Sequence, residues 1–125
     1  NIADNRNIKS SGQYIEYYLS GQIKKMSFYN GGKLDGMFIS YYENGEIKLR
    51  GNFSKNYKNG PWLYFDNMGK PEKNEFYIDG LLDGTWKQFY SDGQIKFQGT
   101  YNDNQRSGQW VWYDLDGNDI YSKIY

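Results

Sequence analysis

The chain has 125 residues, among them 15 Gly, 14 Tyr, 7 Phe and 4 Trp, with neither Cys nor His and a formal net charge of zero. Lacking Cys and His, it excludes zinc sites of the Cys/His kind, Ser-His-Asp and Cys-His catalysis, and disulfides. No run of about 18 apolar residues is present for a membrane-spanning helix, and no basic stripe marks a nucleic-acid surface.

Residues 1–11 match nothing that follows and are expected to form an N-terminal cap or tail. From Gly12 onward the chain repeats itself. Gly12, Gly36, Gly60, Gly84 and Gly108 stand 24 residues apart, and Gly21, Gly45, Gly69, Gly93 and Gly117 keep the same step. Aromatic residues follow the same interval: Tyr14, Phe38, Trp62, Trp86 and Trp110, then Tyr17, Tyr41, Phe65, Phe89 and Tyr113, then Tyr29, Phe53, Tyr77, Tyr101 and Tyr125. The repeat domain therefore covers residues 12–125, in units 12–35, 36–59, 60–83, 84–107 and 108–125. Mean hydropathy is −0.96, a value that understates the core because tyrosine buries ring area while scoring as polar.

Each unit reads as two strands around a turn. Asn44-Gly45, Asp92-Gly93 and Asp116-Gly117 predict two-residue type I′ hairpins, with Ser20-Gly21 and Met68-Gly69 at matching positions. That turn would set Tyr42 opposite Ile47, Tyr41 opposite Lys48 and Phe38 opposite Gly51. It would set Tyr90 opposite Ile95, Phe89 opposite Lys96 and Trp86 opposite Gly99. Alternation then places Tyr14, Tyr18, Ile23, Tyr29, Phe38, Tyr42, Ile47, Leu49, Phe53, Trp86, Tyr90, Ile95, Phe97 and Tyr101 on a core face. The other face would carry Ile15, Tyr17, Ile39, Tyr41, Leu63, Phe65, Phe89, Val111 and Tyr113, with Lys24, Lys48, Arg50 and Lys96.

Polar turns such as Asn30-Gly31-Gly32-Lys33 and Asp79-Gly80 join the units. The third unit departs from the pattern. It holds Pro61 and Pro71, and Asp66 replaces the tyrosine of Tyr18, Tyr42 and Tyr90. A bend near residues 61–73 and prolines that merely start strands are both open readings. In the last unit Asp114 and Asp119 replace Tyr and Ile, as suits a solvated end. The expected fold is all-β: a single elongated, twisted antiparallel meander of five tandem 24-residue β-hairpin repeats.

The stretches GMFISYYENGEIKLRGNF and GTWKQFYSDGQIKFQGTY resemble the MORN repeat variant common in bacterial proteins. The resemblance covers residues 12–125 and implies a hairpin array that serves in protein–protein contact or at membrane surfaces; some members carry an antitoxin-like label. It does not by itself assign a function.

An enzyme is not expected, since an open sheet offers no pocket to shift a catalytic pKa. No cofactor or metal is expected either. The favoured reading is a protein-interaction module whose partner-binding ladder is Tyr17, Tyr41, Phe65, Phe89 and Tyr113, with Lys24, Lys48 and Lys96 adding cation–π contacts. Two alternatives stand beside it. One is an immunity or antitoxin-like inhibitor, for which the charge split counts: residues 1–62 carry +4 and residues 63–125 carry −4. The other is cell-wall glycan binding by Trp62, Trp86 and Trp110.

No nucleic-acid partner is expected. Membrane association draws only on the adjacent Lys24-Lys25 and scattered lysines. The free strand edges of an open sheet admit edge-to-edge pairing into a homodimer. Starting at Asn1, the chain reads as a trimmed or a mature exported form, which favours an extracytoplasmic location.

Overall fold

A computed structural model describes residues 10–125. Most of the cap or tail expected over 1–11 thus lies outside the described residues. The chain forms β1 (Gly12–Tyr17), β2 (Ile23–Asn30), β3 (Lys33–Leu34), β4 (Gly36–Tyr41), β5 (Ile47–Ser54), β6 (Tyr57–Lys58) and β7 (Gly60–Phe65). It continues through β8 (Pro71–Ile78), β9 (Leu81–Leu82), β10 (Gly84–Phe89), β11 (Ile95–Asn102), β12 (Gln105–Tyr113) and β13 (Asp119–Ile124). All belong to one antiparallel sheet in the order β1-β2-β4-β5-β7-β8-β10-β11-β12-β13, and β3, β6 and β9 pair with β2, β5 and β8. No helix occurs among the described residues.

Aromatic and β-branched residues favour the pleated state, and glycines supply the backbone angles that fold it back. Gly36, at φ 112°, kinks the chain between β3 and β4 in a conformation that side chains rarely adopt. Both prolines lie within strands, Pro61 opposite Phe76 and Pro71 opposite Phe65, and the third hairpin keeps the register of the others. Pro71 opens β8, where the lack of an N–H is tolerated.

The hairpin turns differ from the expected type. In each unit the second glycine donates its N–H to the carbonyl three residues back, as from Gly45 to Tyr42 at 3.0 Å, and the Tyr42 N–H donates to the Glu46 carbonyl at 2.8 Å. Gly45 has φ 93° while Asn44 stays out of the positive-φ region. This is a three-residue loop, a type I turn closed by a left-handed glycine. The two-residue type I′ turns lie instead between the units, at Gly31-Gly32, Lys55-Asn56, Asp79-Gly80 and Asp103-Asn104, where both residues have positive φ.

Each hairpin also carries a bulge. Phe38 opposes Gly51 as expected, and Ser40 opposes Leu49, but the register then shifts so that Tyr41 opposes Ile47 and Lys48 is the extra residue. The same shift sets Tyr17 opposite Ile23 and Phe89 opposite Ile95. Ile23, Ile47 and Ile95 therefore leave the expected core face and join the ladder face. The reason is that a bulge adds one residue to one strand and inverts the alternation beyond it.

Two rows run unbroken across the ten long strands. One face carries Glu16, Lys25, Ser40, Leu49, Tyr64, Lys73, Gln88, Phe97, Trp112 and Tyr121. The other carries Ile15, Met26, Ile39, Arg50, Leu63, Asn74, Lys87, Gln98, Val111 and Ser122. The core sits on the first face, where Trp62 and Trp110 are the fully buried hydrophobic side chains among the described residues. Each indole rests on a strand glycine: a Cβ at Gly51 would strike the Trp62 ring, and one at Gly99 the Trp110 ring. Phe38 and Trp86 are the residues paired with these glycines in the same hairpin. It is the tryptophan of the following unit that covers them instead.

Candidate functional site

A one-layer sheet leaves its second face without a packed partner. The ladder stands on that face, near the hairpin turns. Each rung faces a residue of its own hairpin: Tyr17 opposite Ile23, Tyr41 opposite Ile47, Phe65 opposite Pro71, Phe89 opposite Ile95 and Tyr113 opposite Asp119. Tyr17 is 60% exposed and the other four are half-buried. The Arg50 guanidinium lies 5.9 Å from the Phe65 ring, and Gln98 donates to the Tyr113 hydroxyl at 2.8 Å.

The lysines do not stand over these rungs. Lys24, Lys48 and Lys96 lie over Tyr18, Tyr42 and Tyr90 instead, at 5.7, 5.4 and 5.7 Å from the ring centres. The bulge is the cause, since it takes each lysine out of the ladder pairing. Those three tyrosines are themselves clasps between units. Their hydroxyls donate to the carbonyls of Tyr41, Phe65 and Tyr113 at 2.6, 2.8 and 2.8 Å. Burial, followed by the nearby charges of Glu72 and Asp66, raises the Tyr42 pKa. At the opposite end of the sheet Asn56 and Asn104 clasp the preceding unit. Asn56 donates its N–H to the Leu34 carbonyl and accepts the Leu34 N–H on its side chain, both at 2.8 Å; Asn104 does the same with Leu82.

The aromatic face is braced by cations. Lys58 lies 4.7 Å from the Trp62 ring and Arg106 lies 4.5 Å from the Trp110 ring. Because Trp62 and Trp110 are fully buried, neither can stack on a sugar. Three evenly spaced tryptophans are thus not on offer to a glycan.

One buried carboxylate had no counterpart among the residues singled out from the sequence. Glu75 is 8% exposed and occupies the place held by Ser27, Gly51, Gly99 and Lys123 in the other units. It accepts from the Trp86 indole at 3.1 Å and from the Tyr77 hydroxyl at 3.0 Å, with Lys73 at 3.7 Å. Burial pushes its pKa up, but the bonds from Trp86 and Tyr64, the Lys73 charge and the Tyr77 bond together hold it below the ordinary carboxylate value. Burial and the Glu75 charge push the Tyr64 and Tyr77 phenols well above theirs. The one signal for Glu75 was a carboxylate at a position that holds Ser or Gly in three of the other four units.

No group of three or more Asp or Glu that could hold a metal ion occurs among the described residues. The recesses in the sheet are open grooves of about 270 to 590 Å³.

A family model described as the MORN repeat variant matches residues 11–30, 34–55 and 82–103. No curated protein matches the chain. Among solved structures, one that matches is titled "Crystal structure of accessory secretory protein 1,2 and 3 in Streptococcus pneumoniae", at 16% identity and a TM-score of 0.44. That alignment covers 86% of this chain and 20% of the other, so this chain spans about a fifth of its length.

Proposed function

The chain belongs to the MORN repeat variant family, matched over half of its length, and from that premise we propose that it is a non-enzymatic protein-interaction module. The surface it presents to a partner polypeptide is the ladder Tyr17, Tyr41, Phe65, Phe89 and Tyr113. The observation that carries this reading is the absence of a second layer. The rungs stay exposed or half-buried on a face that no element of the described chain covers. Regular spacing of aromatic side chains suits an extended chain or a sheet edge, and aromatic residues are enriched among those that dominate binding energy.

A paired substitution tests it. Tyr41→Ala with Phe89→Ala should abolish binding to a partner purified with the wild-type chain while leaving the urea midpoint near that of wild type. If the pair unfolds the sheet, the rings serve packing and the ladder is not a docking surface.

A second reading draws on one further observation, the +4 and −4 charges of the two halves. An acidic C-terminal half suits an inhibitor of a basic toxin. Salt would then slow association steeply, whereas ladder-driven binding would be little affected.

A further inference from the structure

Three of the four junctions between consecutive units carry the same contact. The tyrosine that opens the hairpin turn, Tyr18, Tyr42 or Tyr90, lays its ring toward the next unit and donates to a main-chain carbonyl there at 2.6 to 2.8 Å. A lysine lies over each of these rings.

At the junction of the third and fourth units both members change. Asp66 stands for the tyrosine and Glu72 for the lysine. Asp66 turns back into its own turn, where one carboxylate oxygen accepts the N–H groups of Met68 and Lys70, each at 2.9 Å. No side chain of the described residues replaces the tyrosine at the Phe89 carbonyl, the counterpart of the Tyr41, Phe65 and Tyr113 carbonyls. A recess of about 270 Å³ lies there between β8 and β10, lined by Glu72, Lys73, Gln88 and Phe89.

We propose that this recess is a socket for a tyrosine side chain of a partner polypeptide, which completes from outside the contact that the other three junctions make from within. The proposal rests on the reading of the chain as an interaction module and adds the place and the side chain it takes. Size fits one ring: the recess falls below the ~300 Å³ at which pockets for whole small molecules begin. Chemistry fits a donor, because the Phe89 carbonyl and the Glu72 carboxylate only accept. Glu72 makes no ion pair among the described residues, so a lysine or arginine side chain is the rival occupant. The three internal copies favour the phenol, since each sets a tyrosine ring beside the equivalent carbonyl.

The test is an amide-resolved NMR titration of the whole chain with N-acetyl-tyrosinamide. Saturable shifts are expected at Lys73, Gln88, Phe89 and Tyr90, with the phenylalanine analogue roughly tenfold weaker for want of the hydroxyl. Asp66→Tyr should fill the socket from within and remove the shifts; Gln88→Tyr, which occludes it from the adjoining strand, guards against a turn damaged by the first change. Equal binding of the phenylalanine analogue, saturation by N-acetyl-argininamide instead, or shifts that persist in both filled variants would overturn the socket. A partner retained equally by wild type and Asp66→Tyr would also overturn it, while leaving the interaction module in place. Probe binding without any purified partner would keep the socket and remove the module.

Discussion

The indole of Trp62 rests on the backbone of Gly51 in the neighbouring strand, with no room for a Cβ between them. Its N–H donates to the Asn52 carbonyl at 3.1 Å, so the ring is fixed in orientation as well as buried. Gly51→Ala must therefore displace one of the two fully buried indoles of the sheet. A loss of about 3 kcal/mol is expected, at the upper end of what overpacking costs. Trp62→Ala alone should cost about 3–5 kcal/mol, and in that background Gly51→Ala should become nearly neutral. Urea unfolding of the four proteins in the cycle measures the coupling. Additive losses would mean that the ring does not need the glycine.

Glu75 gives the sheet a pH dependence of definite sign. Its folded pKa lies below the ordinary value because Trp86, Tyr64, Lys73 and Tyr77 favour the carboxylate more than burial disfavours it. The stabilisation is therefore complete above the unfolded pKa, ~4.3 for a glutamate, and is lost as pH falls through the lower folded value. Glu75→Gln should cost about 1–3 kcal/mol at pH 7, with the gap to wild type narrowing toward pH 3. Urea midpoints at both pH values check this, and a gap that widens in acid would contradict it.

How much of this was legible in the sequence depends on the level. The 24-residue frame, the strand positions and the pairing of Phe38 with Gly51 followed from aligned glycines and aromatics. The turn type did not, because a glycine after Asn or Asp serves both a type I′ loop and a type I turn closed by a left-handed residue. Lys48 looked like an ordinary strand residue, so nothing in its identity announced a bulge. Lys48 and its counterparts Lys24 and Lys96, one extra residue per hairpin, moved Ile47, Ile23 and Ile95 to the ladder face and set the lysines over different rings. The ladder itself was legible because its members precede the bulge in each hairpin. Glu75 was visible only as a carboxylate where three of the other four units have Ser or Gly. Its four partners come from three neighbouring strands of the meander, and side-chain reach, which strand order does not fix, selects them.

The clasps between units are separable from the core. Tyr42→Phe removes the bond to the Phe65 carbonyl and keeps the ring, so a loss of about 1 kcal/mol is expected. Asn56→Ala removes a side-chain acceptor at the preceding junction, where it holds Leu34 of the first unit, and should cost a similar amount. The two sites lie at opposite ends of the strands, and the double variant should be close to additive. Hydrogen exchange should rise first near the junction of the second and third units in Tyr42→Phe, and near the junction of the first and second in Asn56→Ala. Uniform acceleration over all units would instead mark the array as one cooperative block.

The two turn families make opposite demands on their residues. Lys55 is held at φ 49° in a between-unit turn, where a side chain costs roughly 1–2 kcal/mol relative to the right-handed form. Lys55→Gly should therefore stabilise the chain, by about 0.5–1 kcal/mol once the greater freedom of glycine in the unfolded state is offset. Asn44 sits in a hairpin turn with no such strain, and its side chain accepts the Glu46 N–H at 3.0 Å and donates to the Asn67 carbonyl at 2.7 Å. Asn44→Gly should then cost about 1 kcal/mol. Were Asn44-Gly45 a two-residue type I′ loop, the same change would be neutral or stabilising, because both central residues would need positive φ. Thermal unfolding of the two variants side by side separates the cases: opposite shifts in Tm support the three-residue loop, and a joint rise would restore the type I′ hairpin at Asn44-Gly45.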